Sequence, residues 1–380
     1  MRKSYLFAPG PTPIPPSVLA AMARPIIHHR AAEFEEAFAQ VHEGLQWLFR
    51  SRQDVLILAS SGTGGMEASV ANFLSPGDHV LVVNGGKFGE RWVKLCRTYG
   101  VIVEELKVEW GQAVDPGRIE EALRRNPAFR AVYLQASETS TGVAHRVQAI
   151  AKLIRSRDET ILVVDAITAI GVFDIQTDAW GLDVVVSGSQ KALMLPPGLA
   201  FVSVSEKAWQ RTRSATCPRF YFDLARERDN QQKNQTAYTP AISLIMGLCE
   251  SLRLLREEGL EQVFARHRLL ATATREGIKA IGLRLLAERS PSDAVTAVLA
   301  PEGCDGQAVY KQLRSRYGIT AAGGQDHLKG KIFRIATMGY VDRFDVILIL
   351  AAMEMTLKEL GCSIELGRGV RRAQDLLLKA

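Results

Sequence analysis

Val184-Val185-Val186-Ser187-Gly188-Ser189-Gln190-Lys191 carries an apolar, β-branched run into a small polar turn that ends on a lysine. Three consecutive valines followed by serine and glycine read as a short buried strand and its exit. Lysines are surface residues by default. Here Leu193-Met194-Leu195-Pro196-Pro197-Gly198 follows at once, so the amine is bracketed by apolar sequence. Such desolvation lowers a lysine pKa and favours the neutral, nucleophilic amine. Upstream, Ile161-Leu162-Val163-Val164 is a second buried-type strand, and it ends on Asp165, 26 residues before Lys191.

The same texture extends outward in both directions. Apolar strands are predicted at Asp54 to Ala59, His79 to Val83, Val101 to Leu106, Ala131 to Gln135 and Leu199 to Val204. Helical periodicity falls at Phe34 to Phe49, Met66 to Leu74, Arg91 to Tyr99, Arg118 to Arg125 and Val147 to Arg157. Short apolar strands separated by helices imply an α/β fold, a mainly parallel sheet with helices on both faces. Lys191 and Asp165 then lie at the carboxyl edge of the sheet, where open α/β sheets bind ligands. After Ile242 the pattern changes to a long helix through Leu260, a second from Phe264 to Ile281, and short strands at Ala294 to Leu299 and Ile332 to Ala336. This predicts an N-terminal arm over 1–20, extended from Pro9 to Pro16, a large domain over 21–255 and a smaller α+β C-terminal domain over 256–380.

Composition fits an enzyme of this size. The chain has 380 residues, 47% of them hydrophobic and 23% charged, which supports two domains with full cores. Its 47 basic and 41 acidic residues are dispersed, so the net charge of +6 makes no nucleic-acid footprint. The basic tail at Arg368, Arg371 and Arg372 reads as a solvated helix end. Five scattered cysteines, Cys96, Cys217, Cys249, Cys304 and Cys362, form no Cys-x-x-Cys pair and argue against a disulfide framework or a zinc site. The apolar stretch at the start is broken by Pro9 before it reaches signal-peptide length, no run reaches membrane-spanning length, and Leu378-Lys379-Ala380 is not a peroxisomal address. A cytoplasmic protein with neither membrane nor nucleic-acid partners is expected.

A strand-end lysine and a strand-end aspartate can together hold pyridoxal 5′-phosphate. The amine condenses with the aldehyde and the carboxylate pairs with the protonated ring nitrogen. For Asp165 alone a helix-capping role is the competing reading. Ser60-Ser61-Gly62-Thr63-Gly64-Gly65, between a strand and a helix, suits a phosphate cradle of backbone N–H groups and hydroxyls, and equally an ordinary N-cap. Arg334, in Lys331-Ile332-Phe333-Arg334-Ile335, suits two-point recognition of a carboxylate, against a surface ion pair. His28-His29-Arg30 offers adjacent histidines that share no face, and no third ligand is spaced to join them. It is expected to be structural or to lie at a dimer interface.

Phe7-Ala8-Pro9-Gly10-Pro11-Thr12, Ser61-Gly62-Thr63 with Met66-Glu67-Ala68, Glu138-Thr139-Ser140-Thr141-Gly142, Val164-Asp165-Ala166-Ile167, and Ser187-Gly188-Ser189-Gln190-Lys191 with Pro196-Pro197-Gly198 occur in order. Together they resemble the class V aminotransferases of the alanine–glyoxylate and serine–glyoxylate (serine–pyruvate) type, over about residues 5 to 357. The resemblance implies the fold type I architecture of pyridoxal phosphate-dependent transferases. It makes Lys191 the Schiff-base lysine and Asp165 the partner of the ring nitrogen. Ser61, Gly62, Thr63 and Gln190 would surround the phosphate, Phe88 and Ile167 would lie on opposite ring faces, and Thr139 would donate to the phenolic oxygen. Many relatives place tryptophan where this chain has Phe88, which offers less contact area. Tyr238 or Thr239 would reach the phosphate of the neighbouring subunit in a homodimer whose active sites lie at the interface. Arg334 would clamp the substrate carboxylate, with Gly10 of the arm and the loop from Gly323 to Lys329 at the pocket edge.

The implied reaction is a ping-pong transfer from alanine or serine to a 2-oxo acid, glyoxylate or pyruvate, with Lys191 moving the α-proton. Three other readings remain. A different donor, 2-aminoethylphosphonate or aspartate, would use the same fold. A cysteine desulfurase would need a mobile nucleophilic cysteine, and none of the five lies in a Ser/Gly-rich loop of that type. A catalytically inactive subunit is hard to square with a full set of chemical residues.

Overall fold

The computed structural model describes residues 3–379; Met1 and Arg2, at the start of the expected arm, and Ala380 lie outside the described residues. Seven strands, β1 (Val55–Leu58), β2 (His79–Asn84), β3 (Ile102–Lys107), β4 (Phe129–Gln135), β5 (Ile161–Asp165), β6 (Val184–Gly188) and β7 (Ala200–Val204), make one sheet. Their order is β1-β7-β6-β5-β4-β2-β3. Neighbours from β6 through β5, β4 and β2 to β3 are parallel, while β7 runs antiparallel to both β6 and β1.

Strand alternation sends successive residues into two cores. Ile57, Leu81, Val132, Val164 and Phe201 pack with the helices Ala32–Phe49 and Val147–Ile154 on one face. Leu58, Val82, Tyr133, Val163 and Val202 pack with the helices Gly62–Ala71 and Lys87–Thr98 on the other. Burial on both faces explains why these strands are nearly continuous apolar runs.

The two long helices expected after Ile242 are Ile242–Glu258 and Leu260–Ala280, broken at Gly259, where φ is 83°. Beyond them β8 (Val295–Leu299), β9 (Ala322–Gly323) and β10 (Ile332–Ala336) form an antiparallel sheet in the order β8-β10-β9. This sheet and the helices around it share a third core, which includes Phe333, Ile335, Leu350 and Met353. The N-terminal arm is tied to this unit. Tyr5 and Leu6 pair in parallel with Ile319 and Thr320, and Phe7 exchanges backbone bonds with Thr320 and Ala336, both of 2.8 Å.

Three local expectations are corrected. The helix expected from Met66 to Leu74 runs from Gly62 to Ala71, so the glycine-rich segment is its first turn and not a loop before it. Close packing is the reason: a methyl built at Gly65 would stand 2.9 Å from Val186 Cγ1. The apolar strand expected from Val101 to Leu106 runs from Ile102 to Lys107 and is half-buried with exposed ends, because β3 is the last strand of the sheet. The Pro9 to Pro16 stretch is not extended throughout, because Pro16 opens a helix to Met22 with proline in its first turn, where a missing N–H costs nothing.

Candidate active site

β5 and β6 end side by side, with Asp165 paired to Val186 in register, and the turn after β6 carries Lys191. The backbone of this turn is fixed from outside it. Thr12 donates through its hydroxyl to Lys191 O at 2.7 Å and through its N–H to Gln190 O at 3.2 Å, and Ser189 Oγ donates to Pro196 O at 2.7 Å. The Lys191 ammonium donates to Pro9 O of the arm. Gly10, next along, has φ of 130°, and a methyl built on it would overlap Lys191 Nζ. Only glycine combines that backbone with that approach.

Burial dominates the electrostatics of both strand-end groups. It lowers the Lys191 pKa to about 8, opposed by Asp165 and reinforced by Arg334 and Arg91. It raises Asp165 to about 7, opposed by the Ile167 N–H at 3.0 Å and by Arg91 and Lys191, and reinforced by Glu138. Ile167 N–H is the protein donor given to the Asp165 carboxylate, which leaves that carboxylate under-compensated.

The helix Gly62–Ala71 points its N-terminus at this edge. Ser61 occupies the N-cap position but makes no side-chain cap bond, and its residue is exposed. Ile167 packs over Gly62, where a methyl would stand 2.6 Å from its Cδ1. Gln190 lies beside the same turn, since a methyl at Gly188 would be 3.1 Å from Gln190 Oε1 and 3.5 Å from Gly62 N. Phe88 sits in the first turn of the helix Lys87–Thr98, and the Arg91 guanidinium lies over its ring at 4.7 Å while donating to Thr63 Oγ1 at 3.1 Å. Buried polar atoms without a protein partner collect here: both amide atoms of Gln135, Ser187 Oγ and Gln190 Oε1. An uncapped helix N-terminus, an under-compensated carboxylate, a half-buried amine and orphaned polar atoms at one sheet edge fit the phosphate, ring nitrogen and aldehyde of pyridoxal 5′-phosphate.

Arg334, on β10, enters from the C-terminal unit. It is 7% exposed. Its Nε donates to Gly323 O and its Nη1 to Thr139 O, both at 3.0 Å. Burial lowers its pKa to about 10, opposed by Glu138. The Thr139 hydroxyl shares a 3.0 Å hydrogen bond with Thr168 Oγ1.

Other expected residues lie apart from this cluster. Tyr238 stacks on Tyr221 at 5.0 Å and donates to Phe220 O at 3.0 Å, and Thr239 is exposed. His28 and His29 stack at 4.6 Å, with His28 Nδ1 accepting from Arg30 N. Among the described residues no group of three or more His, Cys, Asp or Glu side chains could hold a metal ion.

Sequence reasoning gave no role to Arg91 or Glu138. Glu138 is fully buried; its Oε2 accepts from Phe88 N at 3.1 Å and Gly89 N at 3.2 Å, and its Oε1 from Ser140 N at 3.1 Å and Ser140 Oγ at 2.5 Å. Burial still pushes its pKa up. The available signals were the i, i+3 spacing of Phe88 and Arg91 and an acid inside a run of small residues.

Known proteins give this geometry a family. The family model described as Aminotransferase class-V matches residues 4–344. A soluble hydrogenase small subunit of Synechococcus sp. (strain PCC 6716) is 44% identical, over 100% of this chain and 99% of its own. The L-aspartate–glyoxylate aminotransferase of Paracoccus denitrificans is 37% identical, over 97% and 95%. The crystal structure of ureidoglycine–glyoxylate aminotransferase from Bacillus subtilis matches with a TM-score of 0.94 at 32% identity, over 99% of this chain and 98% of that one. A parallel sheet with one reversed strand, a buried strand-end aspartate beside a half-buried lysine on the next turn, and this match over most of the sequence agree: the chain belongs to the class V aminotransferases and is a pyridoxal 5′-phosphate-dependent transaminase of fold type I.

Proposed function

We propose that the protein moves an amino group from alanine or serine to glyoxylate or pyruvate by a ping-pong sequence. The observation that carries this reading is the enclosed Lys191 amine, with Asp165 and Arg334 both acting on its charge. When bound, the cofactor supplies an aldehyde and an electron-accepting ring. Lys191 holds it covalently, Asp165 pairs with its ring nitrogen, Thr139 donates to its phenolic oxygen, and Ser61, Gly62, Thr63 and Gln190 surround its phosphate. Phe88 and Ile167 confine the ring from its two faces. Arg334 orients the substrate through its α-carboxylate. The Lys191 amine would take the proton from the substrate α-carbon, and burial favours its neutral form by lowering its pKa.

The aspartate–glyoxylate relative makes aspartate the second reading for the donor. The hydrogenase-subunit relative raises a subunit role, which turnover by the purified chain alone would refute.

Exposed Phe220 and Tyr221, beside Tyr238 and Thr239, support a homodimer in which this patch meets the neighbouring phosphate site. An arm over 1–20, a large domain over 21–255 and a small domain over 256–380 are the proposed division, with Leu260, Val263 and Phe264 packing back into the first core and Phe7 of the arm into the third. No described helix is long and apolar enough to cross a membrane, in keeping with a cytoplasmic enzyme.

The test is to add pyridoxal 5′-phosphate to purified protein and screen Ala, Ser, Asp, Glu and 2-aminoethylphosphonate against glyoxylate and pyruvate, following the bound-cofactor absorbance. Alanine with glyoxylate, or serine with glyoxylate or pyruvate, should turn over fastest. Retention of both the band and turnover by Lys191→Ala would overturn the assignment.

A further inference from the structure

Arg334 is suspended between two parts of the chain. Gly323 O holds Nε from the C-terminal unit, and Thr139 O holds Nη1 from the turn after β4. A guanidinium has five N–H donors, so three remain for a carboxylate. They stay aimed only while the two carbonyls keep their spacing.

The loop that carries Gly323 is fastened to the seven-stranded unit at two further points. Lys87 Nζ meets Asp326 Oδ2 at 2.6 Å. Trp110 meets the His327 ring at 4.4 Å between centroids. Asp326 reaches Lys87 from a backbone with φ of 47°, unusual for a residue with a side chain. Lys87 is itself anchored, because its N–H donates to Ser140 Oγ at 3.0 Å and its Nζ also meets Glu90 at 2.6 Å. Ser140 follows Thr139 in sequence. The contacts therefore close a ring that passes from Arg334 through Thr139, Ser140, Lys87 and Asp326 to Gly323 and back to Arg334.

We infer that the Lys87–Asp326 ion pair is the fastening that positions Arg334 for the substrate carboxylate, making Lys87 and Asp326 positioning residues for substrate affinity. The inference rests on Arg334 as the carboxylate clamp. It puts a determinant of substrate binding on two side chains that touch neither substrate nor cofactor.

The holoenzyme carrying Asp326→Asn, Lys87→Met, both together, or the reversed pair Lys87→Asp/Asp326→Lys tests it. Each single change should raise KM for alanine and for glyoxylate about 3- to 5-fold, as expected for a partly exposed ion pair, with kcat held within about twofold. The double change should add nothing to either single, and the reversed pair should recover part of the loss. Salt from about 0.05 M to about 0.5 M should raise the wild-type KM more steeply than the Asp326→Asn value. Reaction with ethylamine, which has no carboxylate, should be unchanged in every variant.

Amide hydrogen exchange at Gly324, Leu328 and Lys329 supplies a readout independent of turnover. It should quicken in the single variants and slow again in the reversed pair. Equal losses with ethylamine and alanine, additive single effects, or unchanged exchange would each overturn the inference. Arg334→Gln separates the two claims. If it leaves KM for alanine unchanged, the clamp assignment fails; if it raises KM while Asp326→Asn does not, only the fastening is wrong.

Discussion

Asp165→Asn should make the cofactor-free protein more stable at pH 8. The Asp165 carboxyl is fully buried, receives the Ile167 N–H at 3.0 Å, and is raised by burial from 3.8 to about 7. Below pH 3.8 it is protonated in both folded and unfolded chains and contributes nothing. Between 3.8 and about 7 the folded state holds a proton that the unfolded state has released, so stability falls as pH rises through that window and stays low above it. A shift of about 3 units corresponds to about 4 kcal/mol at roughly 1.4 kcal/mol per unit. Asparagine abolishes this penalty but buries an amide NH2, at a cost of about 1–3 kcal/mol. The net expectation at pH 8 is a gain of about 1–3 kcal/mol, with no slope from this position between pH 4 and 7. Lys191 acts in a separate window: its pKa, lowered from 10.5 to about 8, costs stability as pH falls from 10.5 to 8 and then no further. Urea unfolding of the apoprotein at a series of pH values reads both slopes. If Asp165→Asn is no more stable than wild type at pH 8, or the difference is the same at pH 4 and pH 8, burial is not what sets this carboxyl.

Gly10→Ala should weaken cofactor retention, because alanine is strained at a backbone φ of 130° and its methyl crowds the end of the Lys191 side chain; a wild-type absorbance band and affinity in the variant would contradict the close approach. Glu138→Gln should lower stability by about 2–4 kcal/mol, since an amide cannot accept all four hydrogen bonds that the carboxylate receives. Urea midpoints would show it, and an unchanged midpoint would mean that these donors are satisfied elsewhere.

Lys191 and Asp165 were legible because a charged residue closing a run of buried β-branched residues breaks the local rule for its strand, and such breaks mark sites. Helix Ala32–Phe49 was legible for the opposite reason, a clean apolar stripe from Phe34 to Phe49. The direction of β7 was not called, since a strand's period of two carries no direction. Its signal was present all the same: residues 189–199 between β6 and β7 hold no helix, and a parallel return needs a crossover of about a dozen residues, usually helical. Arg91 and Glu138 depend on contacts between segments about 30 to 50 residues apart, Arg91 with Thr63 and Glu138 with Phe88. No local pattern encodes such a meeting. Tyr238 and Thr239 stay outside the cluster within one chain, Tyr238 stacking on Tyr221 instead.

Several unfavourable features of this chain meet at one sheet edge. Asp165 is held away from its charged form, Lys191 and Arg334 are both pushed toward neutrality, and Gln135, Ser187 and Gln190 bury polar atoms with no protein partner. Each orphaned polar atom alone costs about 1–3 kcal/mol, and the Asp165 charge about 4 kcal/mol above pH 7. Spread through the molecule they would be defects. Gathered at the carboxyl ends of β4, β5 and β6, they answer a single ligand that brings a cationic ring nitrogen, an aldehyde and hydrogen-bonding oxygens. Because that ligand relieves several penalties at once, its binding free energy is in part stability the empty fold forgoes. The surrounding structure tolerates this because the strands beneath the edge are buried on both faces, and the rigid sheet keeps the strained groups from collapsing onto one another.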